Sequence, residues 1–208
     1  MSPVDWIDWH RAYADPASPL HRRLQVVQAH IRAALDAAPS GPLRAVSVCA
    51  GQGADLLGVL AGHPRAGDVR ARLVELDPHN AEAARAAAPA GVEVVTDDAA
   101  RLAVYAGAAP ADLVLVCGVL GRIGERDTAN AIRLLPQLTA TGGTVIWTRH
   151  RRAPDRTPRI RRLLRRAGFE ELAFDAPADE VFTVGSHRHA GAPLPLDPQA
   201  RLFSSFRS

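Results

Sequence analysis

Lysine is missing altogether from these 208 residues, and all 25 basic side chains are arginine. Alanine is abundant, and the two features together read as the coding bias of a GC-rich genome rather than as chemistry. Cysteine is scarce: Cys49 and Cys117 each stand at the end of an apparent strand, so no disulfide framework is predicted. No run of 18 apolar residues occurs, which argues against a helical membrane span. Residues 1–10 carry acids and tryptophans in place of the charged-then-apolar layout of a signal peptide, and a cytoplasmic protein is expected. Internal repeats and low-complexity linkers are absent. A net charge of only +3, with no separate RNA-binding module, gives little sign of a nucleic-acid partner. The length suits one α/β domain with a substantial core.

Apolar periodicity places the elements. Ser18 is a good N-cap with Pro19 in the first helical position, and Leu20, Leu24, Val27, Ile31 and Leu35 form one apolar stripe of the helix that follows. The Pro39–Pro42 turn ends it. Strands are predicted at 44–49, 71–76, 92–96, 112–117 and 144–149. They alternate with helices near 54–61, 79–88, 128–137 and 157–167. Two last runs, 169–175 and 180–187, read as a hairpin. Alternation of this kind builds a parallel sheet, to which the hairpin adds an antiparallel strand. Residues 1–40 are expected to be a helical cap or lid, and residues 41–208 the main domain.

Three strand ends carry the chemistry. Residues 46–53, Val-Ser-Val-Cys-Ala-Gly-Gln-Gly, run from an apolar strand into a glycine turn. Residues 72–78, Arg-Leu-Val-Glu-Leu-Asp-Pro, end a second strand in carboxylates, and 92–99, Val-Glu-Val-Val-Thr-Asp-Asp-Ala, close a third unit. In an open parallel sheet, ligands settle at the carboxyl ends of the strands. Gly51 and Gly53 let backbone approach a ligand closely, and a helix beginning near Ala54 aims its amides at it. An acid after the second strand can accept from ribose hydroxyls, and one after the third from an adenine amine. A nicotinamide dehydrogenase would need a third glycine where Leu56 stands.

Over about residues 40–185 the sequence resembles the class I S-adenosylmethionine-dependent methyltransferases. The resemblance implies a Rossmann-like, doubly wound, seven-stranded sheet, mostly parallel with a C-terminal antiparallel hairpin, and S-adenosylmethionine as cofactor with S-adenosylhomocysteine as product. No metal is implied. The first motif maps onto Cys49, Ala50, Gly51 and Gly53, with Ser47 where the family has an acid and Cys49 where it has a glycine. Asp55, just past the turn, would substitute in holding the amino end of the cofactor. Glu75, three residues before Pro78, takes the ribose position, with Asp77 as the alternative. Asp98 and Ala99 take the adenine position, and Cys117 and Gly118 close the site from the fourth strand.

The sulfonium methyl is already activated, so alignment and exclusion of water dominate the chemistry. An aromatic cluster, Trp6, Trp9, His10 and Tyr13, falls on one helical face. Trp6 and Trp9 would wall a small-molecule acceptor, and His10 or Tyr13 would touch it as catalytic residues. At the fifth strand's end, Trp147 and Arg149 are further acceptor contacts, with Arg149 as an anion clamp and His150 as a base. Val116 stands directly before Cys117 where cytosine carbon methyltransferases have proline, so Cys117 reads as a structural thiol. The expected activity is methyl transfer to oxygen or nitrogen of a small molecule, by a monomer or a homodimer. Two alternatives stand beside it. A nucleic-acid methyltransferase would use the nine arginines of segment 149–166, whose apolar stripe otherwise marks them as a solvated helix face. A non-catalytic cofactor-binding protein is motivated by Ser47. His187 and His189 form a lone pair without the carboxylates or cysteines a metal site would add.

Overall fold

The computed structural model describes residue 15 and residues 17–206. Helix α1 (Pro19–Ala37) begins where the sequence places it: the Ser18 side chain accepts from the Leu20 amide, and proline occupies the first turn. Strands β1 (Leu43–Val48), β2 (Val69–Glu75), β3 (Val92–Thr96) and β4 (Ala111–Val116) follow. Helices α2 (Ala54–Leu60) and α3 (Pro78–Ala87) connect the first three strands. Helix α4 (Glu125–Leu138) leads into β5 (Thr139–His150), and α5 (Thr157–Arg166) into β6 (Phe169–Asp175) and β7 (Phe182–His189).

These strands form one sheet in the order β3-β2-β1-β4-β5-β7-β6. Only β7 runs against its neighbours, pairing antiparallel with both β5 and β6. The expected seven-stranded, doubly wound sheet is thus the one observed. Winding reverses between β1 and β4, which lie side by side and parallel.

Both faces of the central strands are apolar, as a sheet covered on both sides requires. Alternation sends Val46, Val48, Val114, Val116, Val145 and Trp147 to one face, where α4 and α5 cover them with Ile132, Leu135, Ile160 and Leu164. Ala45, Leu113, Leu115 and Ile146 point the other way, under Val27, Ile31 and Leu35 of α1 and the α2 leucines. Residues 19–37 of the expected cap are therefore a layer of the core. Close packing is enforced at Gly58, where a Cβ would stand 2.4 Å from the Gln28 amide nitrogen, and at Gly185, where it would meet the Trp147 ring at 2.6 Å.

The carboxyl end of α1 has no basic residue in its last turn. Arg65 supplies the charge from another part of the chain. Its guanidinium donates to the carbonyls of Leu35, Ala38, Pro39 and Gly41 at 2.8–3.0 Å, a planar fork tying the helix end to the turn before β1. After β7 the chain crosses back over α4. The Leu194 amide donates to Pro136 O, and Leu102 N–H to Ala200 O at 3.1 Å. The Leu202 amide donates to Ala100 O at 2.7 Å, and the Asn130 side chain holds the carbonyls of Arg201 and Leu202. This strap buries Leu202 and Phe203 in the core and brings residues 200–206 to the end of β3.

Candidate functional site

A cavity of about 510 Å³ opens at the carboxyl end of the sheet, where the winding reverses. The turn after β1 forms one wall. Cys49, Gly51 and Gly53 have φ of 52°, 57° and 76°. Glycine takes this left-handed conformation freely, whereas Cys49 holds it at a cost of about 1–2 kcal/mol. Ala50 N–H donates to Val74 O and Gly53 N–H to Ala50 O, each at 2.9 Å, which fixes the turn. Gly53 is not on the cavity wall. A Cβ there would approach Leu57 and Leu73 within 2.8 Å, so its part is to let α2 start tight against β2.

Glu75, at the end of β2, is only 9% exposed. One carboxylate oxygen accepts from the Gly51 amide at 2.7 Å and the other from the Asp77 amide at 3.0 Å. The same side chain thus holds the glycine turn and the acidic turn in register while facing the cavity. Asp77 lines the cavity too, but one of its oxygens caps α3 by accepting from His79 and Asn80. Both carboxylates line the cavity, and only Glu75 joins its two turns.

Asp98 and Ala99 line the same cavity, as do Phe203 and Phe206 of the strap, whose rings lie 5.8 Å apart. The Asp98 carboxylate accepts from Ala100 N–H at 2.9 Å and from the Arg201 guanidinium at 2.6 Å. Burial pushes its acidity down, but the Ala100 amide and the Arg201 and Arg101 charges outweigh that, and the group titrates below its ordinary value. It is an anion tied to the strap, with lone pairs left for one further donor.

Arg23, Asp55, Cys117, Gly118 and Arg122 line the cavity too. Gly118 N–H donates to the Thr148 hydroxyl at 2.8 Å, so the end of β4 is held by β5. Both thiols are kept protonated. Burial, then the carboxylates of Glu75 and Asp98, push Cys49 far above the ordinary thiol range. Burial and Asp55 do the same to Cys117 against the pull of Arg23. Ten of the eleven residues expected around the cofactor line this one cavity, with Gly53 the exception. Arg23, Arg122, Phe203 and Phe206 line it as well and were not anticipated. The one signal for the last two was a pair of phenylalanines in a tail otherwise rich in proline and small residues.

The residues expected at the acceptor divide differently. Trp6, Trp9, His10 and Tyr13 lie outside the described residues. Trp147 is corrected to a core side chain. It is 1% exposed, with its indole N–H donating to His187 Nδ1 at 3.2 Å and Gly185 pressed against its ring. Arg149 and His150 do face a cavity, but a second one of about 240 Å³. The β4–α4 loop separates the two, with Gly118 and Arg122 on the first and Gly121, Ile123 and Gly124 on the second. Burial, with Arg149 and Arg152 adding and Asp155 opposing, pushes the His150 imidazole below its ordinary value. In segment 149–166, Arg156 and Arg159 pair with Glu125 and Arg161 with Glu171, so the basic run is partly neutralised. Among the described residues no group of three or more His, Cys, Asp or Glu side chains stands together as a metal would need. No described helix is long and apolar enough to cross a membrane.

Sheet order, switch-point cavity and C-terminal hairpin together define the fold of the class I S-adenosylmethionine-dependent methyltransferases. Solved structures share it at low sequence identity. Magnesium protoporphyrin IX methyltransferase from Synechocystis PCC 6803, with bound S-adenosylmethionine, is 16% identical with a TM-score of 0.68, over 89% of this chain and 92% of that one. The 1,6-didemethyltoxoflavin-N1-methyltransferase of Burkholderia thailandensis, bound to its substrate and S-adenosylhomocysteine, is 18% identical with a TM-score of 0.65, over 89% and 84%. An O-methyltransferase family protein from the same organism is 20% identical with a TM-score of 0.62. The match takes in 82% of this chain but spans only 56% of that protein's length. No family profile matches the sequence, and a search of the curated proteins finds no match.

Proposed function

We propose that this chain is an S-adenosylmethionine-dependent methyltransferase acting on oxygen or nitrogen of a small-molecule acceptor. The observation that supports this most is the convergence of the Cys49–Gly53 turn, Glu75 and the Asp98-Ala99 pair on a single switch-point cavity. Its volume suits a nucleoside-sized ligand. Glu75 would receive the ribose hydroxyls, and Asp98 with Phe206 the base. Asp55 and Arg23 offer one charge each to the ammonium and carboxylate of the amino-acid end. When bound, the cofactor supplies an activated methyl group, and the chain aligns the acceptor with it and keeps water out. With both thiols held protonated, a route to carbon through a cysteine adduct is disfavoured.

The small-molecule class is supported by two structural neighbours whose own acceptors are small, a porphyrin and a toxoflavin precursor. Pairing of the α5 arginines with Glu125 and Glu171 counts against an open nucleic-acid surface. The aromatic cluster of Trp6, Trp9, His10 and Tyr13 is proposed as the acceptor-side lid. Calorimetry with S-adenosylmethionine and S-adenosylhomocysteine tests the reading directly. Saturable binding of both is expected, and failure to bind either one would overturn it.

A further inference from the structure

The second cavity lies on the α4–α5 face of the sheet and is no part of the nucleoside crevice. Arg149, His150, Arg156 and Arg159 stand around it, together with Gly124 and Thr128 at the start of α4. Four features there favour an anion. First, the charges do not balance: Arg149, Arg156 and Arg159, with Arg152 close to His150, face only Glu125 and Asp155. Second, those two acids are already committed. Glu125 contacts both Arg156 and Arg159, and Asp155 accepts from the amide and hydroxyl of Thr157 at 2.8 Å. Third, α4 is 14 residues long and its N-cap, Gly124, lines the cavity with no side-chain cap, so the helix end adds positive potential there against the Glu125 and Asp127 carboxylates of its first turn. Fourth, Arg149 Nε and His150 Nδ1 are buried and have no hydrogen-bond partner. A buried donor left unpaired is costly, and a small shift of the Arg149 side chain, which already donates through Nη1 to Leu120 O, would let its Nε meet an oxyanion in the cavity.

We infer that this cavity is a binding subsite for an oxyanion, a carboxylate or a phosphate group, held by Arg149, Arg156 and Arg159 beside the start of α4. Arginine suits this chemistry because its planar fork matches two oxygens at once. The inference goes beyond the methyl-transfer reading and does not depend on it. The β4–α4 loop is a wall of both cavities, so an anion carried on a methyl acceptor and a free inorganic anion would each occupy this place.

The test uses inorganic phosphate as the probe, titrated into the full chain at fixed low ionic strength and followed by phosphorus NMR line broadening. S-adenosylhomocysteine calorimetry runs in parallel. One saturable phosphate site is expected. The double variant Arg156→Gln/Arg159→Gln should weaken it by about tenfold or more, as loss of two charge-assisted contacts requires. Glu125→Gln removes the competing carboxylate and should tighten it by about threefold, a gain that misfolding cannot produce. Absence of saturable phosphate binding, or affinities unchanged in both variants, would overturn the inference. If phosphate follows the expected pattern while S-adenosylhomocysteine binds to none of the proteins, the anion site stands and the methyltransferase reading falls. Displacement of phosphate by 4-hydroxybenzoate but not by phenol would place the anion on an organic acceptor. Displacement by neither would assign the site to a free inorganic anion.

Discussion

Replacing Glu75 by glutamine changes little in shape and much in hydrogen bonding. The native carboxylate accepts from Gly51 N–H at 2.7 Å through one oxygen and from Asp77 N–H at 3.0 Å through the other. Glutamine keeps one acceptor oxygen and turns the other into an NH2 group, which would face a backbone N–H in a site that is 9% exposed. One of the two turns then loses its acceptor. The cost of one unpaired buried donor is about 1–3 kcal/mol. A domain of this size has a stability of about 5–15 kcal/mol, so the variant should fold, with its urea midpoint lowered accordingly. Its cofactor site should suffer more. On the proposed reading the ribose hydroxyls lose a charged acceptor able to take both, and one of the two turns that wall the cavity loses its anchor. S-adenosylhomocysteine affinity measured by calorimetry should fall by about ten- to a hundredfold. Asp77→Asn is the control, because asparagine is an equally good N-cap and the cap of α3 survives. Its affinity should stay within about threefold of the parent. The reasoning is refuted if Glu75→Gln binds within twofold of the parent, or if Asp77→Asn loses more than Glu75→Gln does.

The other expectations concern the strap and the buried strand β7. Phe206→Ala should weaken S-adenosylhomocysteine by about tenfold, since stacking of an aromatic ring on a base contributes about 1–3 kcal/mol. Phe206 is partly exposed, so the thermal midpoint should move little, and an unchanged affinity would remove the strap from the site. His187 gives a pH signature. Burial, against the opposing pull of Glu171, holds its pKa in the folded protein at about 4. An unfolded histidine titrates near 6.5, so between pH 6.5 and 4 the unfolded chain binds the extra proton, and stability falls as the pH is lowered through that window. The loss should reach about 3 kcal/mol by pH 4, read from urea midpoints. A His187→Gln variant should show a correspondingly flatter profile, and an identical slope in both proteins would contradict it. Trp147 N–H donates to His187 Nδ1, so the ring's own proton sits on Nε2, facing Glu171 at 3.5 Å.

Strand positions were legible because a sheet covered on both faces needs apolar runs, and β1, β2 and β4 are such runs. Boundaries slipped where pairing, not hydrophobicity, extends an element. β5 begins at Thr139, ahead of the expected 144, because Thr139 pairs with Ala111 across an irregularity in the ladder. Helix α4 starts at Glu125 because Gly124 ends the loop there, before the apolar stripe announces itself. Residues around the main cavity were legible for a related reason: a switch-point site is built from strand ends, and strand ends follow the strands. Alternation also carried a warning about Trp147. It shares a face with Val145, so a position near the strand's end gave it no exposure. Phe203 and Phe206 stood out as a pair but could not be placed, since nothing local says that a tail without periodicity will return to Ala100 and Leu102. Arg23 was masked in the same way, being one polar position on a helix whose apolar stripe told of packing alone.

The strap gives the cofactor cavity a particular place in the order of synthesis. All seven strands have been made once His189 has been added, and the two phenylalanines of the cavity's last wall come only afterwards. The cavity's last wall is thus supplied by chain that takes no part in the seven-stranded sheet. Release of the strap's hydrogen bonds to Ala100, Leu102 and Asn130 would open the cavity while every strand pairing stays in place.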